Sequence, residues 1–291
     1  MIKKAVIPAA GYGTRFLPIT KALPKEMLPI IDRPTVEYIV NEAVASGIKD
    51  ILLIVSSNKN SIIDYFDRNI ELEYKLLETN KKYEYGMITN IAKNANIHYI
   101  RQKEQLGLGH AVLQAEAFIG NEDFAVLLGD DLYVNDVYPA TKQLMDAYDK
   151  VHSSILGTIE VSLEDTAKYG ICEPLVSNNE QLKELKSVVE KPDPQNAPSR
   201  SAIGGRYILT SKIFEYLKSQ SKGKGGEIQL TDAILRLMSE EKVYSFDLDA
   251  KRYDVGKKID YIEAIIDFGL KKDELKDEIQ KLIDKKATNT K

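Results

Sequence analysis

Cysteine and histidine are scarce in this sequence, and each scarcity removes a class of chemistry. The single cysteine, Cys172, leaves no disulfide framework and no cysteine-based metal site among 291 residues. The three histidines, His98, His110 and His152, have no partners at metal-ligand spacing and are read as structural. No Ser–His–Asp set suggests itself, and Cys172 has no histidine near it in the chain. Long apolar runs are also missing. Nothing approaches the roughly 18 residues of a membrane span, and the first apolar run is too short for a signal peptide, so a cytoplasmic protein is expected. Nor is there a strong excess of one charge. Forty Lys and Arg against 44 Asp and Glu leave a net of −4, which disfavours non-specific nucleic-acid binding. What is present, 43% hydrophobic and 29% charged residues, is enough to bury a full core.

Periodicity points to an α/β fold. Residues 3–9 (KKAVIPA), 50–56 (DILLIVS), 96–101 and 124–128 read as strands. The continuous apolar run at 51–55 suits a parallel strand covered on both faces. Val36, Ile39, Val40, Ala43 and Val44 recur at helical spacing, with Gly47 as the stop. Helices are also expected over 108–119 and 137–148, giving the strand–helix alternation of a largely parallel sheet. Residues 66–95 are polar and read as helical surface pieces. After Val151 the pattern changes to strands at 154–161, 169–174, 185–190, 203–209 and 243–248, with helices at 211–219 and 230–240. This half reads either as a second lobe or as more of the same sheet. A long charged helical pattern over 257–285 places Ile259, Ile262, Ile265, Ile266 and Leu270 on one face, and the final ATNTK is expected to fray.

The most informative segment is AAGYGTRFLPITKALPKEMLP, residues 9–29. Gly11 and Gly13 follow a strand, where bare backbone can approach an anion closely. A dinucleotide fingerprint needs a third glycine where Phe16 stands, and a Walker loop needs a Gly-Lys-Ser/Thr that is absent. The glycines are instead accompanied by Arg15, Lys21 and Lys25, in a loop stiffened by Pro18, Pro24 and Pro29. Such a loop suits a polyphosphate, although it also reads as a solvated turn.

Other stretches carry chemistry more weakly. The apolar strand DFAVLLGDD ends in Asp130 and Asp131, placed either to hold Mg²⁺ or to cap a helix. Asp254, in RYDVGKKIDY, is a second candidate ligand or a turn residue. Gln102, with Gly107 and Gly109 behind it, reads as a base-edge reader or as part of a turn into a helix. Glu190-Lys191 is a sugar-phosphate pair or a surface ion pair; both side chains point inward only if the backbone turns, as Pro192 and Pro194 encourage. Gly204-Gly205-Arg206 and GGEIQL at 225–230 read as glycine-marked loops.

Taken together, the motifs GYGTRFLPIT (11–20), LPITKALPKEMLP with Glu26 after Lys25, GLGHA (107–111), GEIQLTDAI (226–234) and RYDVGKKIDY (252–261) resemble the bacterial UTP–glucose-1-phosphate uridylyltransferases, also called UDP-glucose pyrophosphorylases, of the sugar-nucleotidyltransferase superfamily. The resemblance covers roughly residues 3–270. It implies a Rossmann-like α/β nucleotidyltransferase fold with a mixed, mostly parallel central sheet flanked by helices and a C-terminal helical segment. A catalytic domain over 1–270 would comprise a nucleotide-binding half (1–135) and a sugar-phosphate-binding half (136–256), followed by a helix and tail at 257–291. By the same resemblance, Ala10, Gly11, Gly13, Thr14 and Arg15 cradle the UTP phosphates with Lys25, and Glu26, Gln102 and Gly107 contact the uracil. Asp130 and Asp254 hold Mg²⁺, with Asp131 in support. Gly170, Glu190, Gly205 and Glu227 face the glucose, and Lys191 grips the phosphate of glucose 1-phosphate. The products implied are UDP-glucose and pyrophosphate, and the assembly implied is a homodimer or homotetramer, with no nucleic-acid or membrane partner.

Overall fold

The computed structural model describes residues 1–175 and 181–289. The chain opens with β1 (Lys4–Pro8), a loop of short helical turns, and a hairpin of β2 (Pro29–Ile30) and β3 (Arg33–Pro34). There follow α1 (Thr35–Ala45), β4 (Asp50–Val55), α2 (Asn60–Phe66), α3 (Ile70–Glu78), α4 (Lys82–Thr89) and β5 (Asn96–Arg101). The middle holds α5 (Leu108–Leu113), α6 (Glu116–Ile119), β6 (Phe124–Leu127), β7 (Asp131–Val134), α7 (Ala140–Val151), β8 (Ile155–Glu160) and β9 (Gly170–Pro174). Last come β10 (Leu182–Glu190), β11 (Ser201–Leu209), α8 (Ile213–Lys218), α9 (Leu230–Leu237), β12 (Tyr244–Asp247), β13 (Lys251–Asp254), α10 (Lys258–Lys271) and α11 (Asp273–Asn289).

A single nine-stranded sheet runs β5-β4-β1-β6-β11-β8-β12-β10-β9. Its first four strands are parallel, as their apolar runs require. From β6 onward the pairings are antiparallel except for β8 with β12, so the sheet is mixed and its parallel character is concentrated in the first half. The second half therefore continues the same sheet. β9 also bonds β11 through Ile171 and Ala202, which curls that end back on itself.

Alternation along the central strands divides the core into two layers. Val6, Leu52, Ile54 and Val126 face one way, onto Val112 of α5, Phe214 of α8 and Leu230 and Ile234 of α9. Ile7, Ile51 and Leu53 face the other way, onto Val36, Ile39 and Val40 of α1 and Leu144 of α7. The helix expected over 108–119 is broken into α5 and α6. Gly204, Gly205 and Arg206 lie inside β11, as the strand expected at 203–209 has them and not as the glycine-marked loop.

The C-terminal pattern folds as two helices meeting at Lys272. α10 packs through Ala264, Tyr261 and Phe268 against Ile30, Leu132 and Tyr253. The small Ala264 and the planar rings give that face a closer fit than the isoleucine face, and Ile259, Ile262 and Ile266 are left exposed. The tail does not fray at Ala287; helix α11 runs to Asn289, and residues 290–291 lie outside the described residues. Among the described residues no helix is long and apolar enough to cross a membrane.

Candidate active site

The carboxyl ends of β1 and β6 open onto a cleft of about 520 Å³. The loop after β1 forms one wall with Ala10, Gly11, Gly13, Thr14, Arg15, Lys25 and Glu26; Gln102, Gly107, Asp130, Lys191 and Glu227 complete it. These residues, expected to act together though far apart in the chain, share one concavity; Gly170, Glu190, Gly205 and Asp254, expected with them, do not line it. The loop is held by short helical turns at Thr14–Phe16, Ile19–Lys21 and Lys25–Met27. Thr20 Oγ1 donates to the Gly13 carbonyl at 2.8 Å.

The acidic strand end sits at the floor. Lys25 Nζ lies 2.5 Å from Asp130 Oδ2. Arg15 spans two carboxylates, at 3.8 Å from Asp130 and 3.6 Å from Asp254. The two acids come together because β13 pairs antiparallel with β7, with Asp254 opposite Asp131 and the Val255 amide on the Asp130 carbonyl at 3.0 Å. Asp130 and Asp131 do not cap a helix; a strand follows them. Asp254 does serve a turn, accepting from the Gly256 amide at 3.0 Å, while its other oxygen faces Arg15. Burial works to raise the Asp130 carboxyl, but Lys25 and Arg15 outweigh it and hold it below its ordinary range. Burial and the neighbouring Asp130 and Asp254 push Asp131 up to about 6, against the pull of Arg252. Burial opposes the Lys25 charge, yet Asp130 and Glu26 keep the ammonium above its usual value.

This donor set suits Mg²⁺. Asp130, in the turn just before β7, and Asp254, at the end of β13, offer hard oxygens. Among the described residues no group of three or more His, Cys, Asp or Glu gathers for a metal.

Glu190 and Lys191 emerge at the end of β10. Lys191 has φ of 46°, the left-handed turn that lets consecutive side chains face the same way. Its Nζ lies 3.0 Å from Glu190 Oε1, and Thr231 Oγ1 donates to Glu190 Oε2 at 2.7 Å. The pair is an ion pair, and it borders the cleft. Two glycines make room. At Gly107, φ is 108° and an added Cβ would meet the Ile228 carbonyl at 2.8 Å. At Gly205, φ is 78° and an added Cβ would meet Asp131 Oδ2 at 2.5 Å, so Gly205 lies behind the acidic doublet. Gly170 is likewise buried, packed beside Thr231 and Glu190.

Several participants had no signal in the sequence. His110, read as structural, has a ring nitrogen 2.9 Å from Gln102 Nε2 and orients that amide. Arg252 pairs with Asp131 and stacks over Tyr169. Arg206, wholly buried, grips Glu42 and donates to the Asp131 carbonyl at 2.6 Å, fixing the floor from below. Lys59 pairs with Glu26 at 2.7 Å. An isolated basic residue inside an apolar strand, as in GGRYIL, is the one pattern that points to such a buried pair.

A nine-stranded mixed sheet with a glycine- and cation-rich loop at its carboxyl edge is an α/β architecture whose cleft lies where such folds bind their ligands. The model of the nucleotidyl transferase family matches residues 4–269. The UTP–glucose-1-phosphate uridylyltransferase 1 of Staphylococcus saprophyticus is 52% identical over 282 residues, covering 97% of this chain and 98% of that one. The solved UTP-bound UGPase of Acinetobacter baumannii superposes with a TM-score of 0.89 at 40% identity, over 97% of this chain and 99% of that one. A UDP-glucose pyrophosphorylase solved with UDP-glucose gives 0.85 at 44% identity, over 94% and 100%. This chain belongs to the nucleotidyl transferase family, among the bacterial UTP–glucose-1-phosphate uridylyltransferases.

Proposed function

We propose that the protein transfers a uridylyl group from UTP to glucose 1-phosphate, giving UDP-glucose and pyrophosphate (EC 2.7.7.9). A phosphate oxygen of the sugar phosphate attacks the α-phosphorus in line; the new O–P bond forms as the bond to the bridging oxygen breaks, and pyrophosphate departs with that electron pair. A phosphate monoester has its second pKa near about 6, so the nucleophile is mostly ionised at neutral pH and no general base is needed. The scarcity of histidine agrees with this.

The barrier lies in bringing two anions together. Ala10, Gly11, Gly13 and Thr14 receive the triphosphate, and Arg15 and Lys25 neutralise it. Lys191 holds the incoming sugar phosphate, with Glu190 and Glu227 on the sugar side; Gly170, packed beside Glu190, and Gly205, behind Asp131, leave room behind those side chains. Glu26, Gln102 and Gly107 receive the uracil. Asp130 and Asp254 are the residues that would hold Mg²⁺, which, when bound, neutralises charge on the phosphates. In this scheme residues 1–135 serve the nucleotide and 136–256 the sugar phosphate. The exposed Ile259, Ile262 and Ile266 support a homo-oligomer built through the C-terminal part.

The reading is carried by one observation: Arg15 and Lys25 from the loop after β1 and Lys191 from the distant end of β10 come onto one cleft that also contains Asp130. It is tested by measuring pyrophosphate release from each nucleoside triphosphate against a panel of sugar 1-phosphates. Turnover confined to a different nucleotide, or none with glucose 1-phosphate, would overturn it.

A further inference from the structure

The cleft wall contains a buried acceptor with an open oxygen. Glu26 lines the cleft and is 0% exposed. Its Oε2 accepts from Lys59 Nζ at 2.7 Å, while its Oε1 has no hydrogen-bond partner among the described residues. Lys59, just ahead of α2, is itself buried, so the pair is shielded from solvent. The neighbouring cation, Lys25, is committed to Asp130. A buried polar atom left open in a binding cleft marks a place for a ligand atom.

We propose that Lys59 is a positioning residue for nucleobase recognition: by occupying Oε2 it fixes the Glu26 carboxylate so that Oε1 accepts the imide N–H of uracil. This rests on the UTP reading above and deepens it. An ammonium only donates, so it pins one oxygen and leaves the other as a pure acceptor. Uracil presents an N–H between its two carbonyls; cytosine presents a lone pair at that ring position, which a carboxylate oxygen repels. Burial pushes the Glu26 carboxyl upward, opposed by Lys59 and then Lys25. Burial also pushes Lys59 downward, opposed by Glu26 and Asp130 and reinforced by Lys25. Without Lys59 the carboxyl is freer to take a proton, and a protonated carboxyl can donate to the cytosine lone pair.

The test measures kcat and KM for UTP and CTP, at saturating glucose 1-phosphate, in wild type, Lys59→Met, Lys59→Arg, Glu26→Gln and Glu26→Gln/Lys59→Met. Wild-type turnover of UTP is the control that judges the underlying reading separately. Lys59→Met is expected to raise KM for UTP about tenfold, with a smaller change in kcat, and to lower the UTP:CTP ratio of kcat/KM about tenfold, the scale of one hydrogen bond to a charged group. Lys59→Arg, which donates to the same oxygen, retains most of both. The double variant recovers KM for UTP toward wild type, because a Gln carbonyl still accepts the N–H, but keeps a lowered UTP:CTP ratio, because its amide can also turn to donate. An unchanged KM and UTP:CTP ratio in a normally folded Lys59→Met overturns the proposal. Should Lys59→Met fail to fold, Glu26→Gln set against the double variant decides: Lys59 pins the amide oxygen and leaves its NH₂ toward the base, so a UTP:CTP ratio lower in Glu26→Gln than in the double variant supports the proposal and equal ratios overturn it.

Discussion

Arg206→Met is expected to unsettle the protein from beneath the site without touching the cleft. Arg206 is completely buried. Its guanidinium donates to Glu42 at 2.8, 3.0 and 3.2 Å, to the Asp131 carbonyl at 2.6 Å and to the Gly205 carbonyl at 3.1 Å, and it lies 4.8 Å from the Tyr133 ring centroid. Methionine fills much of the volume but leaves the Glu42 carboxylate buried with Thr141 as its remaining partner. Breaking one side of a buried pair costs about 3–5 kcal/mol. At about 2 °C per kcal/mol for a chain of this size, the melting temperature should fall by about 6–10 °C. Glu42→Gln/Arg206→Met removes both charges and should melt above Arg206→Met, because no uncompensated charge is left. Calorimetry of the three proteins at one pH and ionic strength decides. A loss below about 2 °C in the single variant, or a double variant less stable than Arg206→Met, would refute the reasoning.

Other expectations follow from the same geometry. Lys191→Ala should lower kcat about 10²–10³-fold with an unchanged circular dichroism spectrum, the scale of one lost charge-stabilising donor; near-normal turnover would remove Lys191 from the chemistry. Asp130→Asn should move the Mg²⁺ titration of activity to higher concentration, and a wild-type titration would reduce Asp130 to a scaffold role. Cys172 is fully buried and burial pushes its thiol up, so it should resist alkylation at pH 8 until denaturant is added; rapid labelling of folded protein would contradict this. Lys272 holds the Asp32 carboxyl below its ordinary value, and Lys251 with Tyr253 does the same for Asp267. A depressed carboxyl stabilises the fold above its unfolded pKa, near about 3.9, and that contribution disappears as pH falls through the folded value. Protease sensitivity around residue 272 should therefore rise below about pH 4, and an unaltered digestion pattern would argue that apolar packing alone holds α10.

The parallel half of the sheet was legible because β1, β4 and β6 are buried on both faces and so consist of unbroken apolar residues. The loop after β1 was legible as a wall of the cleft because its glycines and cations are contiguous. The ribbon of β7 and β13 was harder to see: DLYV and KRYD are four residues each and carry charges needed by the site, which interrupts the strand pattern. Around Arg206 the pattern offers both a strand over 203–209 and a glycine-marked loop; the strand forms, and the two glycines thin β11 where Asp131 and Tyr133 press against it. Lys59 sits in SSNKN, a polar stretch with nothing to announce a buried ammonium. Partners of this kind are chosen by tertiary approach, and local pattern does not record it.

The β7–β13 ribbon also has a consequence for synthesis. Its two strands are separated by more than a hundred residues of intervening chain, yet their pairing sets Asp254 opposite Asp131 and the Val255 amide on the Asp130 carbonyl. A nascent chain still lacking residues 251–254 would possess the glycine loop and the parallel strands but only half of the acidic floor. On the roles proposed for these residues, competence is thereby deferred until β13 has been made and paired with β7.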